Sequence, residues 1–296
     1  MSITKNAMIA IVGRPNVGKS TLTNTLAGEK VAIVTHKPQT TRTRITAVVN
    51  KGDTQFVLMD TPGFHRARTK LGDYMVRVAG ESIAGVDAVL LLVEPVAKIG
   101  DLEAERIARI KKERVPAVLC INKIDTIPKA ELLVVIDLYA KAHDFDAIIP
   151  ISAQFGDGVD LILQQLEKYA VEGPPLFPEG IVTDQPEKQI CAEIIREKLL
   201  LCLDKEVPHG TAVEVVRFSE RENGIVDLDV NIYCEKATHK GIIIGKNGAM
   251  LKRIGELARK EIEDFLGTKV FLKTWVKVKE NWRDSQFLLR NFGFSD

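Results

Sequence analysis

Through residue 172, short apolar runs alternate with segments in which apolar positions recur every three or four residues. The runs at 8–12, 55–60, 88–93, 117–121 and 147–151 predict strands. The helical periodicity predicts helices at 18–27, 70–81, 102–112, 131–143 and 159–169. Continuously apolar strands separated by amphipathic helices imply a mostly parallel sheet covered on both faces. The stretch 173–186 carries Pro174, Pro175, Pro178 and Pro186 with Gly173 and Gly180, which predicts an extended linker. Beyond it the pattern becomes helix 189–203, strands 211–219 and 227–234, a short helix 238–244, a long helix ending at 266, and strand 269–278. A short helix at 284–292 closes the series. The expected organisation is therefore a first domain over 1–172, a linker over 173–186 and a small α+β domain with its tail over 187–296.

Composition narrows the class. The 296 residues are 45% hydrophobic and 27% charged, values of a folded globular chain. The longest aliphatic run, 88–93, falls far short of the ~20 residues that span a bilayer. Four cysteines without C-x-x-C spacing (Cys120, Cys191, Cys202, Cys234) suit free thiols in a reducing cytoplasm, not a zinc site or a disulfide frame. The net charge of +1 names no partner, but its distribution does. Residues 236–290 hold thirteen Lys and Arg against six Asp and Glu, net +7, whereas 181–235 hold six against twelve, net −6.

The chemistry begins with Gly13-Arg14-Pro15-Asn16-Val17-Gly18-Lys19-Ser20, followed by Thr21. This is G-x-x-x-x-G-K-S between a strand and a helix, where backbone N–H groups and a helix N-terminus receive phosphates. Lys19 is expected to reach the β and γ phosphates, and the Ser20 hydroxyl to ligate Mg²⁺. Asn122-Lys123-Ile124-Asp125 follows a strand and selects the base. The Asp125 carboxylate can accept from guanine N1–H and N2–H₂, a pair adenine lacks. An ATP-dependent kinase or ATPase is disfavoured for that reason. In Asp60-Thr61-Pro62-Gly63, Asp60 is placed to hold the Mg²⁺ shell and the Gly63 amide to sense the γ phosphate. Ser152 and Ala153 are expected to turn backbone N–H groups toward the guanine O6. By composition, 37–44 reads as a basic, polar surface loop.

This ordered set resembles the P-loop GTPases of the translation-factor class. The resemblance implies an α/β GTPase fold, GTP and GDP as ligands, and Thr41 as a Mg²⁺ ligand in the triphosphate state, with Thr40 the lesser choice. Lys19, Thr41 and Gly63 are then the residues expected to act at the γ phosphate. Many such proteins place a water-orienting glutamine after D-x-x-G. Phe64 stands there, so slow intrinsic hydrolysis is expected. In the subgroup with an asparagine in the phosphate loop, that side chain can ligate K⁺. Asn16 offers this, or serves as a loop hydrogen-bonder only.

Gly245-Lys246-Asn247-Gly248 lies between an apolar turn and a long helix, within the basic half. The element order around it resembles a type II KH domain, whose G-x-x-G loop clamps unpaired nucleotides. Lys252 and Arg253 are further candidate phosphate contacts. Phe271, Trp275 and Trp282 read chiefly as packing residues, stacking on bases being the lesser reading. Together the domains resemble the Era-like subgroup of bacterial ribosome-assembly GTPases. That resemblance implies a monomer that binds 16S rRNA near its 3′ end, assists 30S ribosomal subunit maturation, and works in the cytoplasm with peripheral inner-membrane association. The rival reading is a GTPase whose C-terminal domain is a protein-binding scaffold.

Overall fold

The computed structural model describes residues 2–63 and 69–294. Phe64 lies outside them. The chain folds into two compact units, with the main division between Asp184 and Gln185.

The first unit is built on a sheet in the order β2 (Ile45–Lys51), β3 (Thr54–Asp60), β1 (Lys5–Gly13), β4 (Ala88–Val93), β5 (Ala117–Ile121), β6 (Ala147–Pro150). All pairs are parallel except β2 on β3. The hydrophobic pattern does not predict strand β2. Its Ile45-Thr46-Ala47-Val48-Val49 run is broken by a polar threonine, and it forms because a two-residue turn folds it back on β3. A further short strand, β7 (Val171–Glu172), pairs with the start of β1.

Alternate residues of β1 serve two cores. Ala7, Ile9 and Ile11 pack with Leu22 of α1 (Lys19–Ala27) and Ile162 of α5 (Val159–Leu166). Ala10 and Val12 face Ile107 of α3 (Asp101–Glu113) and Tyr139 of α4 (Lys129–Ala142). Ala79 of α2 (Lys70–Glu81) joins the second cluster. Burial on both faces explains why these strands lack alternation in sequence.

The proline-rich stretch is strapped to this unit. Gln55 exchanges side-chain hydrogen bonds with the backbone of Phe177, at 2.8 and 3.0 Å. The Val48 amide donates to Val182 O at 2.8 Å, and the Thr183 hydroxyl to Thr46 O at 2.7 Å. The first unit therefore runs to Asp184.

The second unit contains α6 (Glu187–Cys202), β8 (Ala212–Glu220), β9 (Val226–Cys234), α7 (Ala237–Ile244), α8 (Ala249–Leu266), β10 (Val270–Val278) and α9 (Gln286–Asn291). Its sheet order is β10-β9-β8, with β10 parallel and β8 antiparallel to β9. Inward residues Leu228, Val230 and Ile232 meet Ile194 and Leu199 of α6 and Ile254, Ala258 and Ile262 of α8. Residues 33–40 also belong to this unit.

Candidate nucleotide and RNA sites

The carboxyl ends of β1, β3, β5 and β6 bring the predicted motifs together at one edge of the sheet, where parallel α/β sheets bind ligands. At the loop after β1, Gly18 caps α1 at φ 102°. A Cβ there would stand 2.2 Å from Asn122 Nδ2. Glycine is required because the Asn122 side chain runs through that space. Asn122 is 3% exposed; its Nδ2 donates to Val17 O at 2.8 Å and its Oδ1 accepts from the Ala153 amide at 2.9 Å. One amide side chain thus fastens the phosphate loop to the loop after β6.

Lys19 is 6% exposed, and its ammonium donates to Gly13 O (3.3 Å) and Arg14 O (3.1 Å). Burial lowers its pKa, with Asp60 opposing. Asp60, fully buried, is raised by the same desolvation, with Lys19 and the Ser20 hydrogen bond opposing. A buried cation held by two loop carbonyls is a strong attractor for a polyanion, because little water competes.

Three oxygens converge beside it. Ser20 Oγ donates to Asp60 Oδ2 at 2.6 Å and lies 2.9 Å from Thr41 Oγ1, which approaches Asp60 Oδ2 at 3.5 Å. Asp60 Oδ1 is buried with no hydrogen-bond partner among the described residues. Two hydroxyls and a carboxylate with a spare lone pair suit Mg²⁺, which prefers a few protein oxygens completed by phosphates and water. The structure also separates the two threonines. Thr40 Oγ1 donates to Lys37 O at 2.7 Å and pairs with Thr35, so Thr41 alone turns its hydroxyl to Ser20 and Asp60. Residues 37–44 are not a simple surface loop, since Thr41 and Arg42 are buried.

Gly63 closes the other side. A Cβ there would sit 2.8 Å from Pro15 Cα, so the backbone after β3 approaches the phosphate loop closely. The Thr61 hydroxyl donates to Ile11 O at 3.0 Å, holding Pro62 and Gly63 in place.

At the base end, Ser152 Oγ donates to Asp125 Oδ1 at 2.6 Å. That fixes one carboxylate oxygen while Asp125 stays exposed. The expectation that Ser152 and Ala153 offer their amides to guanine needs correction. The Ser152 amide donates to Asp157 O and the Ala153 amide to Asn122 Oδ1, both at 2.9 Å, because the loop after β6 needs them to hold its turn. Lys123 and Arg14 both reach Glu94, at 2.5 and 2.8 Å, and Arg14 also binds Glu103 at 2.6 Å. Their charges brace loops, and Arg14 meets the site through its carbonyl. Asn16, in the phosphate loop, is exposed at φ 63°, and Thr21 lies in the first turn of α1.

In the second unit, α6 fastens the segment that precedes Thr41. Arg196 donates to Gln39 O at 3.4 Å and to Thr40 O, and Glu197 accepts from the Val34 amide at 2.8 Å. Composition gives no sign of this pairing, which joins residues over 150 positions apart.

The G-x-x-G loop stands between α7 and α8. Gly245 has φ 72°, and a Cβ there would be 2.9 Å from Met250 N. Asn247 and Gly248 are left-handed too, at φ 51° and 79°. Beside the loop, a groove of about 450 Å³ is lined by Gly248, Leu251, Lys252, Gly255, Glu256, Arg259, Leu272 and Thr274. Lys252 lies on the groove and Arg253, though exposed, does not. Arg259, missed in the sequence, sits on the same helical face as Lys252, about two turns along at i+7. Trp282 is fully buried, its indole N–H donating to Gly210 O at 2.9 Å.

Residues 8–123 match the family described as 50S ribosome-binding GTPase, and 206–283 match the KH domain. The chain is 53% identical to the GTPase Era of Ruminiclostridium cellulolyticum over 98% of its own length and 97% of that protein's. To the GTPase Era of Clostridioides difficile it is 47% identical, over 99% of both. Among solved structures, Aquifex aeolicus Era bound to GDP.AlF4- superposes with a TM-score of 0.94 at 38% identity, covering 99% of this chain and 100% of that one. Era in complex with MgGDPNP and nucleotides 1506–1542 of 16S ribosomal RNA matches with the same values.

Proposed function

The chain belongs to the Era family of GTPases, and on that footing we propose a GTP-hydrolysing switch that binds 16S rRNA near its 3′ end and assists assembly of the 30S subunit. The observation that carries the reading is the joining of a guanine-selective phosphate site and a G-x-x-G groove in one chain.

In the proposed division of labour, Gly13–Thr21 wrap the phosphates with backbone N–H groups while Lys19 places its desolvated ammonium against them. Ser20, Thr41 and Asp60 would hold Mg²⁺, which supplies charge neutralisation on the phosphate oxygens when bound. The Gly63 amide would sense the γ phosphate, with Asp60-Thr61-Pro62 leading the backbone to it. Asp125, oriented by Ser152, accepts from the guanine edge, and Asn122 and Lys123 keep its loop in register with the phosphate loop. Gly245–Gly248 allow an RNA backbone to approach, and Lys252 adds charge on the groove.

The switch is proposed to run through 33–41. Triphosphate fixes Thr41, and Arg196 and Glu197 carry the same segment from α6. Reciprocity then requires RNA to tighten GTP binding by the factor with which GTP tightens RNA binding. The proposed working place is the cytoplasm, in keeping with four free thiols. Among the described residues no helix is long and apolar enough to cross a membrane. The test is binding of the full chain to RNA of nucleotides 1506–1542, with GDP or with GDPNP. Tighter binding with GDPNP is expected. Equal affinities would sink the switch, and no binding would sink the RNA reading.

A further inference from the structure

Strand β10 is an edge of its sheet, and its two faces have unlike chemistry. The inward residues Val270 and Val276 are buried in the core, while Leu272 and Thr274 line the groove beside the G-x-x-G loop. The outward row, continued past both strand ends, reads Lys269, Phe271, Lys273, Trp275, Lys277, Lys279, and all six are exposed. It holds four amines, two rings and no acid.

Both rings are open to solvent, Phe271 at 48% and Trp275 at 45%. Among the described residues no other ring packs on Trp275, whereas Trp282 has Phe292 and Phe294 against it. Phe271 is flanked by cations, with the Arg221 guanidinium 5.2 Å and the Lys273 ammonium 5.1 Å from its centroid. At the start of the row Lys269 pairs with Glu263 of α8 at 3.0 Å, and on β9 Asp227 and Asp229 stand opposite Phe271 and Lys273. Asp227 is already engaged by Arg221 at 2.5 Å and Arg217 at 3.3 Å, so it leaves the row basic. Four residue steps along the strand separate the two rings, about 13 Å. Rings at that spacing between amines fit an unpaired strand, whose bases stack on aromatic faces while phosphates meet the amines. A protein partner would suit an apolar centre with charges at its rim; here the charges interrupt the rings at every second position.

We propose that the outward face of β10 is a second RNA-binding strip, on which Phe271 and Trp275 stack on unpaired bases continuous with those held in the groove on the other face of the same strand. This rests on the RNA reading above.

The buried Trp282 makes a spectroscopic test direct, since the exposed indole is that of Trp275. The full chain is titrated with RNA of nucleotides 1506–1542 while tryptophan emission and the dissociation constant are both followed. RNA is expected to quench wild-type emission and to leave the Trp275→Phe variant unquenched. Trp275→Phe should bind close to wild type, because a ring remains. Trp275→Ala should bind about tenfold more weakly. Lys273→Glu should also weaken binding, with a salt slope shallower by about 0.7. Unquenched emission at saturating RNA, or wild-type affinity in the Phe271→Ala, Trp275→Ala double variant, overturns the strip while the groove stands. If wild type fails to bind the RNA, the functional reading and the strip fall together.

Discussion

The two sites of this molecule are built in opposite ways. Around the phosphate loop, polar side chains brace one another, most of them buried: Asn122 between two loops, Ser152 on the exposed Asp125, Ser20 and Thr41 on Asp60. Around Gly245–Gly248 the groove is shaped by backbone conformation, and its charged residues, Lys252, Glu256 and Arg259, lie exposed. A buried polar site rejects a wrong ligand by leaving groups unsatisfied, which is costly. An exposed basic groove attracts a polyanion broadly and discriminates by shape and stacking. Substitutions should therefore act steeply in the first region and gradually in the second.

The steepest break is Asp125→Asn. Replacing one acceptor by a donor should lower GTP affinity by ~10³-fold or more and improve binding of xanthosine triphosphate, whose 2-position carries an acceptor. Calorimetry with both nucleotides measures it, and unchanged GTP affinity would remove Asp125 from the base site. Next comes the contrast between two glycines. Gly245→Asp must push Met250 backbone aside and adds negative charge, so RNA affinity should fall on the order of 10- to 100-fold. Gly248→Ala meets no atom within 4 Å and suffers only the left-handed backbone, a cost of about 1 kcal/mol. Filter binding of both, alongside thermal melts, ranks them; equal losses would show that the loop is not shaped as described. The smallest effect concerns Asn16. If its exposed side chain ligates K⁺, turnover in KCl should exceed that in NaCl several-fold, and Asn16→Ala should erase the difference. Equal rates in the two salts would leave Asn16 a loop residue.

Much of the fold is legible in the sequence because both faces of the central sheet are buried. Ala88–Val93 and Ala117–Ile121 are unbroken apolar runs between amphipathic helices, and those strands fall where the pattern puts them. Strand β2 escapes the pattern because its apolar run is broken by Thr46 and follows a polar segment, so its pairing depends on β3 being present. Composition misleads over residues 37–44 for a related reason. Thr41 and Arg42 are polar, and only the folded surroundings bury them.

The chemistry divides along the same line. Motif spacing by itself marked a phosphate loop, a carboxylate proposed to select guanine and a G-x-x-G loop proposed as a clamp, since each depends on neighbours in the chain and on where a strand ends. The tertiary structure decided which atoms those motifs spend on each other. It gave the Ser152 and Ala153 amides to their own turn, chose Thr41 over Thr40, tied 33–40 to α6, and left Trp275 bare while burying Trp282. Those outcomes rest on hydrogen bonds and burial between residues distant in sequence, a competition for partners that no local pattern encodes.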